Sequence, residues 1–303
     1  MWGCGLITPA SGMDFSLGGF GTLGAARSSD ESAEFVRDLS QPHGLTQHWS
    51  IDTDSILGIQ ANVGFSPELR AAVQAVARYR FDDTYEPEIS WAFLGYTPTP
   101  AWTVRAGRLG TEFYMLSDSR MVGYSYLTVR PPVDFYGTLP FNSVDGLDVA
   151  AATPFAGGLL KGKLYAGLSR EKSPWEDLQF NMSGSRLVGG YLDYQKGHWQ
   201  IRLGHARVRF DSDLPIDDFY ALLPAATADE LRVKDHWTDF NSLGMVYDNG
   251  PLQTQLMIGK TSNEQATFQD TWSGYLILSY RVNNWAPFVG LSAAKSAVKD
   301  LDH

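Results

Sequence analysis

Six histidines are the natural place to look for catalysis or a metal: His43, His48, His198, His205, His236 and His303. His43 and His48 are five apart in a stretch that reads as a loop. A zinc pair on one helix face needs i,i+4 spacing, which they lack. His198 falls in a tight turn. The chain has no Gly-x-Ser-x-Gly elbow, no phosphate-cradling glycine loop and no Cys-x-x-Cys pair. Its one cysteine, Cys4, can form no internal disulfide. Asp211, Asp213, Asp217 and Asp218 bring carboxylate oxygens together, as Ca²⁺ would require. The loop glycine and closing glutamate of an EF-hand are missing, and a solvated outer loop is the simpler reading. The net charge of −10 repels nucleic acid. These residues predict no catalytic group, no metal site, no cofactor and no nucleic-acid partner.

The remaining chemistry is charge placed at alternate positions. In the stretch from Leu69 to Phe81, one face carries Leu69, Ala71, Val73, Ala75, Ala77, Tyr79 and Phe81. The other carries Arg70, Gln74, Arg78 and Arg80. Trp102, Val104 and Ala106 oppose Thr103, Arg105 and Gly107. Trp199, Ile201 and Leu203 oppose Gln200, Arg202 and Gly204. Leu252, Thr254, Leu256 and Ile258 oppose Gln253, Gln255 and Gly259. A side-chain period of two is that of a strand with one apolar and one polar face. Leu69, Ala72, Val73, Val76 and Arg80 also form a helical stripe behind a passable Ser66-Pro67-Glu68 start. The neighbouring segments read as closely spaced strands, so strand is the consistent choice.

Thirteen candidate strands result: 14–26, 50–65, 69–81, 87–96, 102–109, 144–153, 159–169, 186–194, 199–210, 236–247, 252–261, 271–282 and 285–294. Their connections alternate. Short ones (66–68, 97–101, 154–158, 195–198, 248–251, 282–284) are rich in Pro, Gly, Asn and Asp. The others (27–49, 82–86, 110–143, 170–185, 211–235, 262–270) are long with one exception. A compact soluble domain rarely tolerates so many long loops, whereas a transmembrane β-barrel has tight turns on one side and long loops on the other. Apolar residues are 44% of the chain but never form the run of about 18 that a membrane helix needs. Aromatics at 13% suit two interfacial girdles, although a β-sandwich core would use them equally well.

The segment between the strands at 102–109 and 144–153 carries a more specific signal. Arg105-Ala106-Gly107-Arg108-Leu109 leads into Ser117-Asp118-Ser119-Arg120 and then Val129-Arg130-Pro131-Pro132-Val133-Asp134-Phe135-Tyr136-Gly137. Asp145-Gly146-Leu147-Asp148-Val149 follows. This resembles the Gram-negative general diffusion porins, in which the third loop folds into the barrel and narrows the pore. The likeness covers nearly the whole chain in layout and residues 102–150 in motif. The Pro-Glu-Phe-Gly-Gly loop tip of the enteric porins is absent; Pro132-Val133-Asp134-Phe135-Tyr136-Gly137 stands near its place, which leaves charge selectivity open. The resemblance implies a trimer of sixteen-stranded, water-filled barrels passing small hydrophilic solutes, with acids on the loop facing an arginine ladder on the wall. Mapped residue by residue, the ladder is Arg78, Arg80 and Arg105, and the acids are Glu112, Asp118 and Asp134. Opposed charges across a narrow aqueous gap orient dipolar solutes and disfavour apolar ones.

The expected fold is thus all-β: an antiparallel up-and-down porin-like transmembrane barrel of about sixteen strands when complete, with about thirteen present here. Bacterial single-chain barrels have even strand numbers, and the polar end Lys299-Asp300-Leu301-Asp302-His303 reads as the start of another long loop. Residues 1–13 read as a signal-peptide remnant, 14–303 as an incomplete barrel, and 110–143 as an inward-folded constriction loop. The expected partners are outer-membrane lipid and lipopolysaccharide, two further copies of the chain in a homotrimer, and small hydrophilic solutes. Two alternatives stand beside the passive channel. One is a substrate-selective porin for sugars, phosphate or organic acids, although Trp91, Tyr165 and Tyr275 are too scattered to form an aromatic slide. The other is a soluble or cell-surface all-β binding protein. Outer-membrane barrels with protease or phospholipase activity exist, but nothing in this sequence selects one.

Overall fold

The computed structural model describes residues 13–30, 32–175 and 178–297. Cys4, residues 1–12 of the expected signal remnant, and the end from Lys299 to His303 lie outside the described residues. The strands are β1 (Asp14–Thr22), β2 (Ile56–Gly64), β3 (Leu69–Arg78), β4 (Glu88–Thr99), β5 (Trp102–Gly110), β6 (Ser143–Phe155), β7 (Gly158–Leu168), β8 (Lys172–Trp175), β9 (Leu178–Asn181), β10 (Arg186–Lys196), β11 (Trp199–Arg209), β12 (Trp237–Asp248), β13 (Leu252–Asn263), β14 (Asp270–Tyr280) and β15 (Phe288–Ala297). Thirteen of them form one antiparallel sheet in chain order; β8 and β9 make a separate hairpin. The ambiguous Leu69 segment is a strand, and its register holds it between β2 and β4. Strands of 9 to 13 residues suit a tilted bilayer crossing. Among the described residues, no helix is long and apolar enough to cross a membrane.

The turns behave as their residues require. Ala156 and Gly157 both have positive φ (47° and 78°), and Phe155 pairs with Gly158 around them. That is a two-residue hairpin of the mirror-image type that matches strand twist. Ser66 closes another turn by accepting the backbone N–H of Leu69 at 3.1 Å. The first two strands are shorter than their periodicity predicts, but Ala26 and Ser50 still meet in an isolated bridge beyond them. Order inside the long connections was not foreseen. The 169–185 connection contains the β8–β9 hairpin, and 210–236 contains two short helices, α2 (Asp217–Ala221) and α3 (Ala225–Leu231). The 111–142 segment contains two 3-10 turns and a single helical turn at Val133–Tyr136.

The two faces of the sheet have opposite roles. Leu57 (67% exposed), Ile59 (53%) and Leu164 (72%) project outward, with Val73, Leu94, Leu147, Leu192 and Leu203 also exposed. Trp199, Phe155 and Tyr280 ring the tight-turn side. Toward the long-loop side the outward face becomes polar, with Arg108 on Asp145 and Arg207 on Asp239. An apolar outer band edged by aromatics is what lipid selects.

The core lies on the inner face, between the sheet and the 111–142 segment. Phe113, Tyr114, Met115, Phe135, Tyr136, Leu139 and Phe141 are almost wholly buried there, against Tyr165, Leu187, Val208, Phe240, Met257 and Tyr275. Phe113 lies 5.0 Å from the Phe240 ring, and Tyr114 lies 4.5 Å from Phe135. Glycines clear the seat: a Cβ at Gly259 would stand 3.1 Å from the Phe135 ring, and one at Gly244 would stand 2.8 Å from the Met115 sulfur. The polar face of β12 and β13 is thus small where the segment lands, so its aromatics reach the wall.

Candidate functional site

Where the 111–142 segment leaves β5, it carries Glu112 over the inner face. The two carboxylate oxygens meet three cations from three strands. Oε1 accepts from Lys163 of β7 and stands 3.4 Å from Arg105 Nη2 of β5; Oε2 stands 3.7 Å from Arg202 Nη1 of β11. Each cation has a second anchor. Arg105 grips Asp148 with Nε at 2.9 Å and Nη2 at 2.5 Å. Lys163 Nζ lies 3.2 Å from Asp148, and Arg202 Nε donates to Asp193 at 2.9 Å. The Arg202 guanidinium also covers the Tyr191 ring at 3.9 Å. Strand register explains the gathering: Arg105 faces Asp148, and Asp193 faces Arg202 as direct neighbours.

Burial alone would raise the Glu112 carboxyl, but Lys163, Arg105 and Arg202 hold it below its ordinary range. Asp118, on the same segment, goes the other way. Partial desolvation of its carboxyl raises it and the Glu112 charge adds to that, against the pull of Arg202, Lys163 and Arg105, although the residue as a whole is exposed. Beside these groups is a cavity of 320 Å³, polar on most sides, to which Arg70, Arg105, Glu112, Asp118, Lys161 and Arg202 contribute. Its walls can hold water and small polar solutes. Among the described residues, no group of three or more His, Cys, Asp and Glu is arranged to hold a metal. Asp213 of the acidic run accepts from Arg232 at 2.6 Å and from the Val233 and Lys234 amides at 2.8 Å, so it clasps its own loop.

Of the six residues predicted to form the constriction, the structure brings Arg105, Glu112 and Asp118 to this cavity. Arg78 and Arg80 are elsewhere. Arg78 is 4% exposed and donates to Ser40 at 2.6 Å, with Asp38 at 3.4 Å and Glu88 at 3.6 Å. Arg80 lies 3.3 Å from Asp82. Arg78 thus fastens the 23–55 connection and Arg80 the β3–β4 loop, and both line a separate polar cavity of 190 Å³ with Glu88 and Glu171. Asp134 sits on the helical turn that packs against β13, β14 and β15, and it accepts from Ser292. As site residues, sequence reasoning missed Lys163, Arg202, Asp148, Asp193, Tyr191, Arg70 and Lys161. The signal was available, because all seven occupy polar-face positions of strands that were recognised.

These observations define a membrane-spanning antiparallel β-barrel wall with a long segment folded against its inner face. Solved structures place that architecture. An anion-selective porin from Comamonas acidovorans superimposes with a TM-score of 0.53 at 15% identity, covering 93% of this chain and 80% of that one. The outer-membrane channel DcaP of Acinetobacter baumannii matches at 0.47 and 12% identity, over 96% and 93%. OccK10 (OpdN) of Pseudomonas aeruginosa matches at 0.47 and 10% identity, over 95% and 84%. The fold is that of the outer-membrane porins. No family model and no curated protein sequence matches the chain.

Proposed function

We propose that this chain is a passive channel of the bacterial outer membrane for small hydrophilic solutes and ions, acting as a homotrimer in contact with outer-membrane lipid and lipopolysaccharide. The observation that carries the reading is Glu112, held on the inner face among Arg105, Lys163 and Arg202 beside a polar cavity. Fixed charges of both signs across a water-filled gap make a transverse field, which sorts solutes by charge and dipole without chemistry. Selectivity in this reading belongs to the 110–143 loop and the wall cations that oppose it, with Arg105, Glu112 and Asp118 at the gap. A soluble binding protein fits less well, because Leu57, Ile59 and Leu164 face outward and would form a broad apolar surface in water. The test is reconstitution in a planar bilayer. Discrete, ohmic conductance steps are expected. Protein that inserts into the bilayer yet passes no current refutes the reading.

A further inference from the structure

The charges around the 320 Å³ cavity do not cancel locally. Arg105, Lys163 and Arg202 each have a carboxylate within ion-pair distance. The Glu112, Asp148 and Asp193 carboxylates are all engaged by those three cations. Two cations of the same lining, Arg70 of β3 and Lys161 of β7, have no ion pair or side-chain hydrogen bond among the described residues. Lys161 faces Asp193 across the β7–β10 pair, but the Asp193 Oδ2 already accepts from Arg202 at 2.9 Å and from Gln200 at 2.8 Å. Asp118 is the one lining carboxylate left without an ion pair among the described residues. Its side chain is exposed, and even with its charge counted the five cations of the lining (Arg70, Arg105, Lys161, Lys163 and Arg202) outnumber the three carboxylates (Glu112, Asp118 and Asp148).

Space accompanies the charge. Arg70, Gly95 and Arg105 are consecutive on one row of the inner face. A Cβ at Gly95 would stand 3.3 Å from the Arg70 Nε and 3.6 Å from the Arg105 stem, so glycine lets both stems lie over the same gap. Lys161 and Lys163 both lie 5.9 Å from the Tyr191 ring. The result is a polar pocket with two uncompensated cations, one a guanidinium able to grip two oxygens at once.

We propose that Arg70 and Lys161 form a transient binding site for small oxyanions, carboxylate or phosphate, within the permeation path. The site rests on the channel reading above and gives it a substrate class. An oxyanion displaces water from the two free cations and leaves the three existing ion pairs intact, so binding is reversible and compatible with transit.

The test uses the full chain in planar bilayers, with potassium chloride as the base electrolyte and succinate or inorganic phosphate added. Wild-type channels are expected to favour chloride over potassium, and added oxyanion is expected to reduce the chloride current at saturable concentrations. R70Q/K161Q is expected to move the reversal potential toward cations and to raise the half-blocking concentration roughly tenfold or more. R70K/K161R keeps both charges and should retain block, which separates charge from folding damage. Block by succinate alone or by phosphate alone identifies which oxyanion the site takes. Current that neither oxyanion reduces, or an unchanged reversal potential and block in R70Q/K161Q, overturns the site and leaves the channel standing. Inserted protein with no current in any salt defeats the channel reading and this site together.

Discussion

Replacing Glu112 with Gln separates the two forces that hold the 111–142 segment inside the barrel. The substitution keeps the shape of the side chain and removes one charge that touches three cations. Breaking a buried ion pair from one side typically costs about 3–5 kcal/mol. Here Arg105 and Lys163 keep Asp148, and Arg202 keeps Asp193, so the lower end, about 3 kcal/mol, is the expected loss. Against it stand seven large side chains of the segment buried on the wall: Phe113, Tyr114, Met115, Phe135, Tyr136, Leu139 and Phe141. At about 1.5–3 kcal/mol each, they supply on the order of 10–20 kcal/mol as an upper value. Aromatic packing therefore wins and the segment stays docked. What changes is the field, since three cations now face the gap with one anion fewer. Reversal potential in a salt gradient should shift toward anions, most at low ionic strength where screening is weakest. Resistance of the 111–142 segment to protease should be unchanged. Protease cleavage within 111–142 in E112Q, with a large rise in conductance, would show that charge and not packing holds the segment. An unmoved reversal potential at low salt would take Glu112 out of the permeation path.

Phe135→Ala removes a fully buried ring and should cost about 3–5 kcal/mol. Protease access to 111–142 should rise in that variant, whereas E112Q leaves it unchanged. Arg78→Gln should leave the reversal potential near wild type while exposing the 23–55 connection to hydrogen exchange, because Arg78 is buried on Asp38, Ser40 and Glu88. A selectivity shift as large as that of Arg105→Gln would restore Arg78 to the channel lining. Leu164→Arg, outward and 72% exposed, should lower barrel stability by up to about 2–4 kcal/mol in lipid, measured by unfolding in bilayers; a neutral result would place that face out of the hydrocarbon. Burial opposes ionisation of Asp38, but Arg78, Arg120 and the Ser40 hydroxyl and amide hold its carboxyl down to about 2, against 3.8 unperturbed. Its stabilisation, about 2 kcal/mol, is complete above pH 4 and fades as the pH falls toward 2. Hydrogen-exchange protection of 35–45, relative to the unfolded chain at each pH, should fall over that window in the wild type and be flat with pH in Asp38→Asn.

The sequence by itself determined the thirteen strands of the main sheet, their faces and their order, but not the β8–β9 hairpin. Pleat geometry forces successive side chains to opposite sides, so Leu57 and Ile59 outside and Arg105 and Arg202 inside are consequences of a period that can be counted. Tight turns between neighbours leave one possible pairing order, and the thirteen strands of the sheet follow it. The same parity placed Lys161, Lys163, Asp148 and Asp193 inside, although nothing local set them apart from other polar-face residues. Only the tertiary structure decided which inward charges meet. Arg78, Arg80 and Arg105 are equivalent in their periodicity. Yet Arg78 is taken by Asp38, 40 residues away, and Lys163 by Glu112, 51 residues away. Asp134 went to Ser292 across 158 residues of chain because its helical turn packs on the last strands. Strand identity is written in the backbone and its nearest neighbours. Charge pairing depends on where two long connections come to rest, and that is set by aromatic packing against glycines on distant strands, which no local period records.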